Sequence, residues 1–122
     1  MIVIDSSGWI EYFIDGVNAE RFYRHMKEPQ EVVTPSIIIY EVYKKLKRDR
    51  SEQDALEAIA QISKTKIVPL SEEMALTAAD VSLEYNLAMA DAIIYATAKE
   101  HNCKIITMDK DFKKLPNATV VQ

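Results

Sequence analysis

The sequence predicts an α/β fold, a three-layer α/β/α domain with a central, mainly parallel sheet of four to five strands. Short apolar runs alternate along the chain with longer segments in which apolar residues recur at helical spacing. Such alternation is typical of a parallel sheet covered by helices on both faces. The 122 residues are 48% hydrophobic, which is enough for a sizeable core, and include only two glycines. We therefore expect a single domain, 1–122, with no flexible linker.

The amino-terminal half supplies two predicted strands and four predicted helices. The strands are Ile2 to Ile4 and Val32 to Val33. The helices are expected over 7–14, over 18–26, from Thr34-Pro35-Ser36 onward, and over 51–62. Ser51 suits the N-cap of the last of these. Its spacing predicts an inward face made of Leu56, Ile59, Ala60 and Ile62.

The carboxyl-terminal half continues the same alternation of strands and helices. A strand is predicted over 67–70, followed by a helix that begins at Ser71 and ends near Tyr85, with Asn86 at the C′ position. A second helix is predicted over 90–101. The last predicted strands are 104–107 and 118–121.

Charge and cysteine content exclude some classes of protein and indicate a compartment. The formal charge of −4 argues against a protein that coats nucleic acid through bulk charge, unless several acids converge on a bound cation. Cys103 is the single cysteine, so no intramolecular disulfide forms, which fits a cytoplasmic location. The apolar start, Met1 to Ile4, is broken by Asp5 and has no basic leader, so we expect no secretory signal. No apolar stretch approaches the length of a membrane span.

Acidic residues stand where ligands of parallel sheets usually bind, just beyond the carboxyl ends of the strands. Asp5 directly follows the first strand, although an acid there also suits an Asx turn or the N-cap of the next helix. Asp109 and Asp111 follow the strand that ends at Thr107. One acid is enough to cap the turn, with Thr107 bonding the backbone, so the other acid would be free to join a site.

Two further acids interrupt strongly apolar helical segments. Glu41 lies within 37–43, where the alternative to a site role is a surface pair with Lys45. Asp91 is flanked on both sides by Ala, Met and Ile, and the alternative there is a first-turn acid that interacts with the helix dipole. A helix this apolar is expected to be buried, and a buried carboxylate needs a partner or a metal ion.

Carboxylates that converge repel one another unless a cation joins them. The hard cations Mg²⁺ and Mn²⁺ prefer oxygen ligands, and no histidine or thiol stands nearby to favour zinc. One or two such ions serve phosphodiester hydrolysis well, because they lower the pKa of water and stabilise the leaving oxygen.

Four motifs in order along the whole chain carry a family resemblance: IVIDSS at 2–7, TPS at 34–36 before the helix with Glu41, LAMADA at 87–92, and ITMDKDF at 106–112. With these motifs the chain resembles the PIN-domain ribonucleases, and among them the VapC-type toxins of prokaryotic toxin–antitoxin pairs. Gly8 and Trp9 depart from this pattern, since relatives usually carry larger aliphatic residues there.

The resemblance implies a Mg²⁺-dependent endoribonuclease, with Mn²⁺ as a plausible substitute. The family's acidic quartet would fall on Asp5, Glu41, Asp91 and Asp109. Asp5, Asp91 and Asp109 would carry the metal, and Glu41 would bind metal or orient water. Ser6 and Thr107 would be supporting hydroxyls, and Asp111 a cap or outer ligand. The implied partners are an RNA substrate, a VapB-like antitoxin and a second copy of the chain.

The basic and aromatic residues have two interpretations. The run Lys44, Lys45, Lys47, Arg48 and Arg50 is either a solvated helix end or a phosphate-contacting rim supported by Lys110, Lys113 and Lys114. The aromatic residues are more often core or interface than base-stacking platforms; they are Trp9, Tyr12, Phe13, Tyr40 and Tyr43.

Three other functions compete with cleavage of RNA. A PIN-like domain that binds RNA or protein without cutting has all four acids and is separated from a nuclease only by metal binding and activity. A phospho-receiver domain would require an acceptor Asp after a mid-chain strand, but Asp54 lies in a helical pattern. A haloacid-dehalogenase-like phosphatase would require Asp at position 7, where Ser7 stands.

Overall fold

Five short parallel strands form the centre of the computed structural model, which describes residues 1–122. They are β1 (Ile2–Ile4), β2 (Val33–Pro35), β3 (Lys66–Val68), β4 (Lys104–Thr107) and β5 (Ala118–Val120). One ladder joins β1, β4 and β5, a second joins β2 and β3, and a parallel bridge between Ile2 and Val32 links the two. The spatial order is therefore β3-β2-β1-β4-β5, with every pairing parallel.

Six helices connect and cover the strands. They are α1 (Ser6–Phe13), α2 (Ala19–Met26), α3 (Ser36–Asp49), α4 (Glu52–Ile62), α5 (Glu72–Tyr85) and α6 (Met89–Glu100). Single 3₁₀ turns occupy Pro29–Glu31 and Lys110–Phe112. No helix combines the length and the apolar character that crossing a bilayer would require. The arrangement confirms the predicted α/β class with a parallel sheet.

Helix α6 lies at the centre of the packing. Seven consecutive residues, Ala92 to Ala98, are buried, as expected for a helix without a polar face. The helix contacts β1, β2 and β4 as well as α3 and α5. These contacts belong to one apolar core of 27 buried residues drawn from strands and helices alike. Asp91, in the first turn of α6, stands where this buried helix reaches the protein surface.

Several predicted boundaries and caps are confirmed, and some details are wrong. The Ser51 hydroxyl accepts a hydrogen bond from the Asp54 amide at the start of α4, and Asn86 ends α5 in the left-handed conformation. Thr34 and Pro35 belong to β2 rather than to the following helix, which begins at Ser36. The extended dihedrals of Pro35 (φ −58°, ψ 136°) explain why the helix does not begin before Ser36.

The predicted inward face of α4 is confirmed at Ile59 and Ile62 and is wrong at Leu56 and Ala60. Leu56 and Ala60 are exposed, while Ala55, Ala58 and Ile62 are buried. The small alanines allow α4 to lie closely along α3, with which it makes one of the largest helix contacts of the protein. The strand predicted over 67–70 also moves, since β3 is Lys66–Val68 and leaves Leu70 exposed.

Gly8 is required by the close approach of α2 to the first turns of α1. A Cβ at this position would lie 2.5 Å from two ring carbons of Phe22 and 2.9 Å from Ile4 Cγ2. Phe22 and Ile4 are both fully buried, so neither can move away easily. This packing explains why no larger residue follows Asp5 at this position.

We expect Gly8→Ala to lower the free energy of unfolding by about 1–3 kcal/mol because it overpacks this contact. The same substitution elsewhere in a helix stabilises by about 0.5–1 kcal/mol, so the sign itself is diagnostic. Urea denaturation followed by circular dichroism measures the change. Phe22→Leu should cost less in the Gly8→Ala background than in the wild type, since it relieves the overlap. An alanine variant as stable as the wild type would show that α2 is not held this closely.

Candidate metal centre

The parallel register of β1 and β4 brings distant residues together at one edge of the sheet. Ile4 pairs with Ile106, so the residues that follow, Asp5 and Thr107, lie side by side. The Asp5 amide donates to the Ile106 carbonyl at 3.0 Å, which extends the ladder to the first residue of the site. Asp5 and Thr107, which are 102 residues apart along the chain, are thereby joined by a direct hydrogen bond.

Asp5 is buried and holds a hydroxyl network rather than a helix cap. Its Oδ2 accepts from Thr107 Oγ1 at 2.7 Å and from Ser7 Oγ at 3.1 Å. Its backbone carbonyl accepts from the amides of Gly8 and Trp9, while its side chain makes no capping bond to α1. The alternative that this acid serves only as an N-cap is therefore wrong.

The two hydroxyls also bind the turn after β4. Ser7 Oγ accepts from the Met108 amide at 2.9 Å, and Thr107 Oγ1 accepts from the Asp109 amide at 2.9 Å. Thr107 steadies the turn, as predicted. Ser6, the hydroxyl to which the resemblance had pointed, hydrogen-bonds Glu41 and offsets part of the rise in the pKa of that acid. The Asp5 network itself uses Ser7. The sequence signal for Ser7 was weak, because its role depends on the distant Met108 amide.

Glu41 reaches the site from α3. Its Oε1 is buried and has no hydrogen-bond partner. Lys45, the alternative surface partner, instead pairs with Asp49 at 2.9 Å. A buried carboxylate oxygen without a donor is costly, so its surroundings are suited to a ligand that brings positive charge or a proton.

Three carboxylates come close enough to share one ion. Single oxygens of Asp91, Asp109 and Asp111 all lie within 4.8 Å of one another. Asp5 and Glu41 fall outside this group, but their charges act on Asp91. The structure thus brings the predicted quartet to one edge and adds Asp111 to it.

Asp111 was expected to cap the turn after β4 and Asp109 to join the site, and this assignment is wrong in part. Asp109, not Asp111, caps the 3₁₀ turn, since its Oδ1 accepts from the Asp111 amide at 2.9 Å. Asp111 is exposed and contributes a carboxylate oxygen to the three-acid group. Asp109 remains in that group while it caps, because a carboxylate has two oxygens. The Asp-Lys-Asp spacing was the available signal, but it did not reveal which acid faces the turn.

The pKa values show that the acids interact with one another. Burial, the charge of Asp109, and then those of Asp5, Glu41 and Asp111 raise the pKa of Asp91 to about 7. Burial and the Asp5 charge raise the pKa of Glu41. Burial also raises the pKa of Asp5, and the hydroxyls of Thr107 and Ser7 offset it in part. The apo site therefore has an excess of negative charge that a cation would neutralise.

The basic run on α3 is mostly engaged in surface ion pairs. Lys45 and Arg48 pair with Asp49, Lys47 with Glu52, and Arg50 with Asp54. For these four residues the interpretation as a solvated helix end is supported. Lys44 makes no ion pair and instead lies over the ring of Tyr40.

The other aromatic residues belong to the core or to a groove away from the acids. Trp9 is buried and stacks on Phe13, and Tyr12 stacks on Tyr23. Tyr12, Phe13 and Tyr23 line a groove of about 550 Å³ that reaches α4 at Gln61. The acidic centre is separate from this groove and lies open at the edge of the sheet.

The donor set fits a hard divalent cation. The three grouped ligands are carboxylate oxygens, with no imidazole or thiolate among them, and the buried Glu41 Oε1 without a hydrogen-bond partner belongs to the same site. Asp91, Asp109 and Asp111 would hold such an ion, with Asp5 and Glu41 beside it. This combination can support hydrolysis of a phosphate ester.

Comparison with known proteins agrees with this geometry. The family model described as PIN domain matches residues 2–118. A toxin–antitoxin complex from Klebsiella pneumoniae contains a chain that is 26% identical, with a TM-score of 0.83 and coverage of 98% of this chain and 97% of that one.

Two more distant structures share the fold. VapC20 of Mycobacterium tuberculosis, described as a sarcin-ricin loop cleaving toxin, is 16% identical with a TM-score of 0.80 and coverage of 96% of each chain. VapBC2 of Rickettsia felis, described as bound to a promoter DNA fragment, is 14% identical with a TM-score of 0.77 and coverage of 99% and 98%. No match was found among curated proteins. The family match spans nearly the whole sequence and includes all the acids of the site, so the chain belongs to the PIN domain family.

Proposed function

We propose that this protein is a Mg²⁺-dependent endoribonuclease, the toxic component of a toxin–antitoxin pair, acting in the cytoplasm as a single domain. The observation that carries the proposal is the convergence of acids at the carboxyl end of the sheet, where three carboxylates approach within 4.8 Å and Asp91 has a pKa of about 7. The relatives support the choice of RNA, since VapC20 is described as cleaving the sarcin-ricin loop.

Each acid has a distinct part in this proposal. Asp91 and Asp109 hold Mg²⁺, or Mn²⁺ in its place, with Asp111 as a further ligand and Asp5 fixed behind them by its two hydroxyls. Glu41 positions the attacking water through its unpartnered Oε1 and accepts its proton. A bound ion supplies water of lowered pKa and charge stabilisation for the leaving oxygen.

The proposed inhibitory partner is a VapB-like antitoxin. Support comes from the 26% identical relative, whose structure is a toxin–antitoxin complex. A short neighbouring reading frame that encodes a DNA-binding protein would be the direct genetic evidence. Co-purification of its product with this chain, and inhibition of RNA cleavage by it, would establish the pair.

The proposed homodimer has support in a second apolar face of α5. Of the ten exposed large hydrophobic residues of the chain, Leu76 and Leu83 lie on α5, Leu70 just before it and Met89 at the start of α6. Leu76 and Leu83 are 67% and 85% exposed and seven residues apart, on the side of α5 that faces away from the core. Beside them, α5 and α6 border an apolar cavity of about 300 Å³. Protruding leucines next to a cavity make a self-complementary surface, as a two-fold interface requires.

We expect Asp5→Asn to reduce cleavage of RNA with Mg²⁺ by at least about a hundredfold, because an amide cannot supply the lost negative charge. The Asn oxygen still accepts from Ser7 and Thr107, so the fold should persist. Gel analysis of cleavage products measures the effect, and thermal denaturation checks folding. Glu28→Gln, at an exposed acid just before the Pro29–Glu31 turn, is the control and should cleave like the wild type. Equal cleavage by the Asp5 variant would indicate a contaminating nuclease.

We expect the metal-free protein to lose stability as the pH rises from about 4 to about 7, through the raised pKa of Asp91. The folded state holds this proton up to about pH 7, whereas the unfolded chain releases it near 3.8. The stabilisation that this bound proton gives to the folded state is therefore fully present below pH 3.8 and is lost as the pH rises past about 7. Denaturation at several pH values measures it as the difference between wild type and Asp91→Asn.

The same two proteins test metal binding directly. Calorimetric titration with Mn²⁺ should give a binding signal with the wild type and with Glu28→Gln, and almost none with Asp91→Asn. Parallel pH profiles of wild type and Asp91→Asn, together with no Mn²⁺ binding by the wild type, would leave an acid-decorated surface without a metal site. That result would favour a PIN domain that binds without cutting.

We expect Leu83→Glu to convert the dimer into a monomer, because it buries a charge at the proposed α5 interface. Light scattering after size-exclusion chromatography measures the mass. Leu56→Glu, at a similarly exposed leucine on α4, is the control and should leave the dimer intact. A wild-type protein that is monomeric at high micromolar concentration would contradict the proposed interface.

A further inference from the structure

Tyr40 and Lys44 form an exposed pair on α3. Tyr40 is 57% exposed, which is unusual for a large aromatic residue in a helix. Lys44 Nζ lies 5.4 Å from the centroid of the Tyr40 ring and donates to the Tyr40 hydroxyl at 3.3 Å. The ring is thus held by the lysine on one side and remains largely open to solvent.

Lys44 is the one cation of the basic run that no carboxylate neutralises. Its four neighbours in the run are occupied by Asp49, Glu52 and Asp54. A lysine held over an aromatic ring keeps its full charge, and its remaining protons are available to an acceptor.

The pair stands directly beside the acidic centre. Tyr40 precedes Glu41 in the chain, and Lys44 follows Glu41 by three residues, so it lies one turn further along the same side of α3. The opposite flank of the centre carries Lys110, Lys113 and Lys114, which are exposed and form no ion pair. Free positive charges therefore border the negative centre from both sides, as a bound polyanion would require.

We propose that Tyr40 and Lys44 form a nucleotide-binding rim, in which an unpaired base stacks on the Tyr40 ring while Lys44 contacts the adjacent phosphate. The inference rests on the proposed ribonuclease function and adds two substrate-contacting residues to it: the RNA segment crosses α3 at Tyr40 and Lys44 on its way to the acids. An aromatic face accepts any unpaired base but not one stacked within a duplex, so this rim selects strandedness rather than sequence.

A second lysine–tyrosine pair on α3, Lys47 and Tyr43, has the same local geometry but lacks the properties that the rim requires. Lys47 lies 5.4 Å from the Tyr43 ring centroid and donates to its hydroxyl at 3.4 Å, as in the first pair. Lys47 is also bound to Glu52, and Tyr43 packs against the core. The two pairs share local geometry but differ in free charge and open ring surface, so Lys47 provides a matched control.

The experiment measures binding in the non-cleaving Asp5→Asn background with Mg²⁺ present, by fluorescence anisotropy of a labelled single-stranded oligoadenylate. Tyr40→Ala should weaken binding by about tenfold through loss of stacking, and Tyr40→Phe should retain the parent affinity. Lys44→Gln should weaken binding and reduce the slope of log affinity against log salt by about one, whereas Lys47→Gln should leave both unchanged. With an oligoadenylate–oligouridylate duplex as probe, Tyr40→Ala should have no effect.

Equal single-strand affinity of Tyr40→Ala and its parent would overturn the rim, and the nuclease proposal would stand as long as the wild type cleaves RNA. A wild type that neither cleaves nor binds RNA would overturn both. A Tyr40→Ala variant whose mass changes in light scattering while its RNA affinity does not would assign Tyr40 to a protein interface and overturn the rim.

Discussion

The parallel pairing of β1 with β4 is the constraint on which the site depends. It joins the two ends of the chain and sets Asp5 beside Thr107 in a fixed register. A slip of one residue would turn the Asp5 side chain to the other face of the sheet and separate it from both hydroxyls. The apolar strands therefore do more than fill the core: their register determines which polar atoms meet at the carboxyl edge.

The acids at this edge oppose folding in the absence of a cation. Burial and mutual repulsion raise the pKa values of Asp5, Glu41 and Asp91, and each raised value marks a charge that the folded state tolerates poorly. The apolar core, in which α6 is buried over seven consecutive residues, offsets this destabilisation. Asp91 belongs to that same helix, so an element that packs against three strands and two helices also carries an acid whose pKa is raised to about 7. Stability and function are thus opposed within one helix.

Much of the fold could be predicted because its signals are local. Apolar runs, the Ser51 cap and the left-handed Asn86 are properties of a few neighbouring residues. The errors fall where the outcome depends on tertiary contacts. Leu56 is more apolar than Ala55, yet the close approach of α3 and α4 selects the smaller side chain for the core. Asp109 and Asp111 are identical in type, and only the path of the 3₁₀ turn decides that Asp109 caps it. Convergence of the acids followed from the rule for parallel sheets, whereas the part of Ser7 required the register itself.

The distribution of positive charge bears on how an acidic protein would bind the proposed RNA substrate. A net charge of −4 provides no general attraction for RNA, and most of the α3 run is neutralised by neighbouring acids. Among the cations that form no ion pair, Lys44 stands three residues from Glu41, and Lys110 stands between Asp109 and Asp111. Because exposed charges are screened beyond about 8–10 Å, only such nearby cations influence a phosphate at the site. In the proposed ribonuclease, affinity would depend on a few contacts and on stacking, so a bound cation and an unpaired strand would both be needed to overcome the repulsion of the acids.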